Sequence, residues 1–125
     1  MKCTLPPGRY YIGDICYALK NDIYDDIWGD VYDYSDGKFE VDNSVFAVAG
    51  TKYGDGGYKG SNGFIYDVDA GVIGMVHEKL MKMDHYEGGG TMHTFTENVS
   101  FSCYDGLFII ESNNFYLKIN TDNEE

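Results

Sequence analysis

The sequence predicts a mainly β, α+β domain: a compact antiparallel β-sandwich or partly open barrel carrying one amphipathic helix near residues 17–28. Short runs rich in Val, Ile, Phe and Tyr recur along the chain, each too brief for an ordinary helix and suited to a pleated, half-buried surface. Glycines gather between those runs, at Gly54, Gly56, Gly57, Gly60 and Gly63 and again at Gly88 to Gly90. One stretch changes period: Leu19, Ile23, Ile27 and Val31 recur every four residues, which lines one side of a helix.

Pro6, Pro7 and Gly8 stop any helix and lead into a first strand over residues 9–15. The helix that follows carries Asp22, Asp25, Asp26 and Asp33 on its polar arc, and Gly29 weakens it near its end. Ser35, Asp36 and Gly37 form a turn, after which residues 38–41 and 44–50 make a hairpin around Asp42 and Asn43. The second of these runs is apolar on both parities, as a central strand covered on both faces requires. A Gly-rich loop occupies residues 51–63, and residues 64–68 and 71–76 are expected to pair across Asp69 and Ala70. Residues 77–83 form a short helix or a turn. Four strands end the chain as a meander, over residues 91–97, 98–103, 106–111 and 114–120, with turns at 104–106 and 112–114. Val99, Phe101 and Cys103, like Phe115, Leu117 and Ile119, alternate with polar neighbours, so each strand has one wet face. Residues 121–125 are polar and expected to fray.

A chain of 125 residues makes one domain, and 43% hydrophobic residues give it enough apolar side chain to fold. The net charge of -12 opposes direct contact with nucleic-acid phosphates or anionic membrane, which need clustered Lys and Arg. No apolar run has a transmembrane or secretory length, which points to the cytoplasm, or the host cytoplasm for a viral chain. Cys3, Cys16 and Cys103 are odd in number and widely spaced, so neither a disulfide framework nor a CxxC zinc site is expected, and no cofactor is indicated.

Three segments also carry a resemblance: PGRYYIGDICYAL over residues 7–19, TKYGDGGYKGSNGFIYDVDAGVIGMV over residues 51–76, and the closing strand over 114–120. Together they resemble a family of small β-rich proteins from bacteria, phages and large DNA viruses with PGxYYIGDxCY, YGDGxY and VDxGxIG segments. The resemblance covers about half the chain and implies a compact β-rich domain without implying a mechanism. Ala70 and the extra Gly57 depart from the pattern, and residues 79–90 match none of it.

The Gly-rich loop is the first candidate site. Its glycines permit close backbone approach, while Tyr53, Asp55 and Tyr58, with Asp14 and Asp69 at neighbouring strand ends, supply contacts for a small ligand or protein. If Asp14, Asp55 and Asp69 converge, they can bind a hard cation and support metal-assisted hydrolysis; separately, each caps a turn. Residues 33–42 imitate an EF-hand loop, but with Gly37 at its sixth position Tyr32 and Tyr34 stand where carboxylates are needed. His77, His85 and His93 recur every eight residues, a spacing that matches no helical face and is more simply coincidental. Cys16 is a nucleophile only if a helix N-terminus and a base lower its pKa. Asn98 opens a glycosylation motif that is idle without secretion.

The second candidate is electrostatic. Between residues 22 and 42, Asp22, Asp25, Asp26, Asp30, Asp33, Asp36, Glu40 and Asp42 face Lys38 alone. Such a stripe is either a solvated surface or the docking face for a basic protein, including the groove of a nucleic-acid enzyme that it blocks by imitating phosphates. Binding without catalysis, to a basic protein surface or a small ligand, is the favoured reading.

Overall fold

The computed structural model describes residues 1–82 and 89–122. Among the described residues the strands are β1 (Lys2–Leu5), β2 (Gly8–Gly13), β3 (Gly37–Val41), β4 (Ser44–Gly50), β5 (Gly56–Lys59), β6 (Ile65–Val68), β7 (Val72–His77), β8 (Gly90–Phe95), β9 (Val99–Tyr104), β10 (Leu107–Ser112) and β11 (Phe115–Asn120). They form a four-stranded sheet ordered β1-β9-β10-β11, a five-stranded sheet ordered β3-β4-β7-β2-β8, and the hairpin β5-β6. Every pairing is antiparallel. The mainly β expectation holds, and the sheets do not close into a barrel.

Alternation decides what lies between the sheets. Tyr10 and Ile12 of β2, Val45, Ala47 and Ala49 of β4, and Ile73 and Met75 of β7 point inward and meet Val99, Phe101, Phe108, Ile110, Leu117 and Ile119. The opposite parity of the same three strands, through Tyr11, Phe46, Val48, Val72 and Val76, is covered by a helical layer that contributes Ile15, Leu19, Ile23, Trp28 and Leu80. The molecule therefore has three layers, and β4 is buried on both parities as expected. The hairpin β5-β6 adds Tyr58, Tyr66 and Val68 to the inter-sheet core; it bridges β11 through Gly60 and Ile119 and reaches β8 through Tyr66 and Thr91.

The helical layer departs from expectation. Ile15–Tyr17 is a turn of 3-10 helix, residues 18–20 are not helical, and Ile23–Gly29 is a π-helix. Bonds from Asp30 N to Asp25 O (3.0 Å) and from Tyr32 N to Ile27 O (3.2 Å) show the i→i+5 spacing. This wider turn brings Ile23 and Trp28, five residues apart, into the core together and leaves Val31 exposed, so the four-residue recurrence overstated the apolar face. Three β expectations also change. β1 is an additional strand, paired with β9. Residues 64–68 and 71–76 do not pair across Asp69 and Ala70: β6 pairs with β5, and β7 lies between β4 and β2. β8 leaves the meander and joins β2. The Asp42-Asn43 hairpin forms as expected, with both residues at positive φ as a type I′ turn requires. Residues 78–80 form a short 3-10 helix. Thr121 does not fray: it is fully buried and its hydroxyl donates to Gly106 O.

Three glycines stand side by side where the helical layer rests on the sheet. Gly13 of β2 is in register with Gly74 of β7 and with Gly90 of β8. Side chains at these positions would run into Ile15, the Tyr11 ring and neighbouring backbone, so the row of hydrogens allows those groups to lie on the strands. Among the described residues, no helix is long and apolar enough to cross a membrane.

Candidate functional site

Asp14 is fully buried at the end of β2. Its Oδ1 accepts from Cys16 N (3.0 Å), and its Oδ2 accepts from Asp69 N (2.8 Å) and Ala70 N (2.7 Å). The carboxylate thus holds the 3-10 turn and the β6 to β7 connection together, with three backbone donors offsetting the burial of its charge. Those donors explain why Asp69 and Ala70 are not a hairpin turn. Asp69 is exposed beside Tyr17, whose hydroxyl pKa is raised by burial first and then by hydrogen bonding to and charge on Asp69. Burial, followed by the Asp14 carboxylate, pushes the Cys16 thiol up to about 12. That is the reverse of activation, so Cys16 is a protonated thiol.

The Gly-rich loop is tied down internally. Tyr58 is fully buried and its hydroxyl donates to Gly54 O (3.0 Å). Thr51 N donates to Gly71 O (3.0 Å), Lys52 N to Thr121 Oγ1 (3.0 Å), and the exposed Tyr53 hydroxyl to Asp122 Oδ1 (3.1 Å). Asp55 is exposed. Of the five loop-site residues, Asp14 and Tyr58 are therefore interior, while Tyr53, Asp55 and Asp69 are on the surface. Among the described residues, no group of three His, Cys, Asp or Glu is placed to hold a metal ion, so the Asp14, Asp55 and Asp69 arrangement needed for metal-assisted hydrolysis does not assemble there.

The histidines are separated by the sheet. His77 of β7 and His93 of β8 are in register with Tyr10 from opposite sides, about 10 Å apart at ordinary strand spacing. The Tyr10 ring stacks edge-on against His77, with centroids 5.3 Å apart, so the two imidazoles do not share a ligand. His85 lies outside the described residues.

One polar constellation gave no sequence signal beyond the alternation of Thr91, His93 and Phe95. Asn62 Nδ2 donates to the Tyr66 hydroxyl (3.1 Å), which lies 2.8 Å from Thr91 Oγ1, itself 2.7 Å from His93 Nε2. Each hydroxyl can donate onward with Nε2 accepting, an arrangement that a neutral His93 imidazole completes. Burial lowers the His93 pKa from its ordinary 6.5, and lowers that of His77 likewise. A lowered folded-state pKa favours the neutral ring, so its contribution is complete above pH 6.5 and declines as the pH falls from there toward the folded value. We expect melting temperature measured between pH 7.5 and pH 5 to fall with acidity, and the fall to be shallower in His93→Gln; an equal slope in the two proteins would contradict this assignment.

The acidic stripe divides in the fold. Asp36 turns to the sheet and caps Gly50 N (3.1 Å), and Glu40 is on the opposite parity of β3 from the buried Phe39. Asp22, Asp25, Asp26, Asp30 and Asp33 are all exposed on the helical layer. None of these five forms an ion pair with a described residue; the ion pairs there are Arg9 with Glu78 and Lys52 with Asp105 and Asp122. Beyond the π-helix, Asp33 and Tyr34 both take φ of 55°. This reversal brings Tyr34 back over Gly29, where a Cβ would meet its hydroxyl at 2.7 Å, and edge-on against Trp28 with centroids 5.1 Å apart. Trp28 Nε1 closes the loop by donating to Ser35 O (2.8 Å). Val31 is 66% exposed and Tyr34 53%, with Tyr32 beside them. A groove of about 360 Å³ opens beside Asp22, lined by Ile23, Ile27, Val41 and Leu80 and by the charged Lys20, Asp42 and Lys79.

No protein-family model matches the chain, and neither a curated protein nor a solved structure does.

Proposed function

We propose that the protein is a binding module for a basic protein surface, engaged through the helical layer at Asp22, Asp25, Asp26 and Asp33 together with Val31, Tyr32 and Tyr34. The observation that carries this reading is the coincidence of carboxylates lacking an ion pair among the described residues with exposed apolar side chains on one short segment. A solvated polar face does not need Val31 and Tyr34 exposed beyond half their area. Tyrosines among charges supply rigid contact area, and carboxylates without ion-pair partners attract Lys and Arg and steer their approach. The left-handed conformation at Tyr34 costs about 1 kcal/mol, which the fold bears to hold this loop against Trp28.

The test compares two triple variants titrated with a decalysine peptide. Asp25, Asp26 and Asp33 are changed to Asn in one; Asp55, Asp67 and Glu111, exposed elsewhere, are neutralised in the other. Asn tolerates the positive φ at position 33, so the first variant keeps its backbone. With each exposed pairing contributing about 0.2 to 1 kcal/mol, the first variant is expected to bind roughly tenfold more weakly and the second less than twofold. Equal losses would mean attraction by net charge alone and would overturn the proposal.

A further inference from the structure

Ser44, like Asp14 and Thr121, is a buried polar residue, but it alone of the three has no bond for its side chain. Asp14 accepts three backbone N–H groups, and the Thr121 hydroxyl donates to Gly106 O and accepts from Lys52 N. Ser44 is 6% exposed, and its hydroxyl has no hydrogen-bond partner among the described residues. A hydroxyl held this deep is ordinarily paired. No side-chain polar atom there is both sealed from solvent and unpaired, so the Ser44 oxygen reaches open space. In β4 it lies on the parity of Phe46 and Val48, which faces the helical layer, and on that side it lines the groove of about 360 Å³.

We infer that this groove is a site for a small zwitterion with an aliphatic body, of the chemistry of a branched-chain α-amino acid. Its volume lies at the small end of the about 300 to 1,000 Å³ typical of small-molecule sites, which suits a single small ligand. Ile23, Ile27, Val41 and Leu80 supply an aliphatic wall, with no aromatic ring in the lining to stack on a planar ligand. Around them stand two cations and two carboxylates. Lys20 and Lys79 belong to segments joined by the bond from Lys20 N to Leu80 O (3.0 Å), Asp22 precedes the π-helix, and Asp42 is in the β3-β4 turn. Neither lysine forms an ion pair with a described residue, although both signs line the same groove. A ligand with a single charge gains one pair of these groups and is repelled by the other; a zwitterion satisfies both. The ligand carboxylate goes to the lysines, its ammonium to the aspartates and its branched side chain to the aliphatic wall. The Ser44 hydroxyl, donor and acceptor in one group, pairs with either end. The site shares Asp22 with the surface proposed for a basic partner and is otherwise separate from it, since Asp25, Asp26, Asp33 and Tyr34 do not line it.

Titration of the whole protein with L-leucine to about 10 mM, roughly ten times the level that half fills a millimolar site, tests it through backbone amide NMR shifts. Saturable shifts are expected at residues 20–23, 41–44 and 79–80, three segments distant in sequence that meet at the groove. Isocaproate, the same skeleton without the ammonium, and isopentylamine, without the carboxylate, should each bind at least about tenfold more weakly. Ser44→Ala breaks no internal bond and should fold as the native protein does, yet bind leucine at least about threefold more weakly, the loss of one hydrogen bond. Lys79→Met, at an exposed position, should weaken it to a similar extent of about threefold. Lys118→Met makes the same charge change on β11 and is expected to leave leucine binding intact. So is the change of Asp25, Asp26 and Asp33 to Asn, which separates a failure here from a failure of the basic-partner reading. Shifts that do not saturate, or three probes of equal affinity, would overturn the inference. So would leucine binding that survives both Ser44→Ala and Lys79→Met, or that Lys118→Met weakens equally.

Discussion

Replacing Asp14 by alanine is expected to cost about 3 to 5 kcal/mol and to lower the melting temperature by roughly 10 to 20 °C, as loss of a fully paired buried charge in a domain of this size does. The cost comes less from the carboxylate than from what it leaves behind. Three donors, at Cys16, Asp69 and Ala70, lose their acceptor together, at a site where Asp14 itself has no solvent exposure. Asp14→Asn keeps one oxygen but turns an amide NH2 toward some of those donors, so it should fall between alanine and the native protein. Asp69→Ala keeps its backbone N–H and is expected to change stability by less than about 1 kcal/mol. Thermal unfolding of the three variants decides the matter. Were Asp14→Ala as stable as Asp69→Ala, the clamp assigned to Asp14 would be wrong.

The second large effect is expected at Gly74. A Cβ there would collide with the Ala47 carbonyl oxygen and meet Ile15 Cγ2 at 2.8 Å. The side-chain contact can relax, but the carbonyl belongs to the β4-β7 ladder in the middle of the sheet and cannot. Gly74→Ala is therefore expected to cost at least about 3 kcal/mol and to reduce the yield of folded protein sharply. Two other glycines set the scale. Gly54 has a φ of 81° with nothing within 4 Å of a new Cβ, so alanine there meets backbone strain alone, about 1 kcal/mol. Gly50, whose nearest neighbour would be 3.9 Å away, should tolerate alanine with little change. Unfolding by urea would rank the three, and a Gly74→Ala protein as stable as Gly50→Ala would refute the role given to the glycine row.

These two positions mark the limit of what the sequence makes legible. Strands follow from β-branched and aromatic runs, so β2, β4, β7 and the last three strands were visible, as was burial of β4 on both faces. The Asp42-Asn43 hairpin was readable because local turn chemistry alone decides it. Pairing between sequence neighbours was readable too, in β9, β10 and β11, but long-range partners were not. Asp69-Ala70 has the length of a hairpin turn, and only the Asp14 carboxylate, distant in sequence, directs its N–H groups elsewhere. β1 is four residues beside two prolines, and it becomes a strand because β9 provides a ladder. The π-helix escaped because a recurrence of four fits an ordinary helix until Val31 is found outside. At the candidate site the carboxylates of residues 22–33 were evident, while the exposure of Val31 and Tyr34 depended on the left-handed reversal at residues 33 and 34. The Tyr66, Thr91 and His93 chain unites residues from two elements whose neighbourhood the topology alone creates.

The pairing of β1 with β9 also constrains the order in which the molecule can form. β1 occupies residues 2–5, and its partners are residues 99–102. During synthesis, at about 5 to 20 residues per second, β1 waits seconds for its ladder. β2 waits almost as long, since it joins β7 and β8. The nascent chain can close the β3-β4 hairpin early, but the five-stranded sheet waits for Phe95 and the four-stranded sheet for Asn120. Non-local pairing of this kind places folding among the slow topologies, on the order of milliseconds to seconds once the whole chain is free. Until then β1 and β2 are open strands, and Lys2, Pro6 and Pro7 guard an intermediate as well as the finished edge.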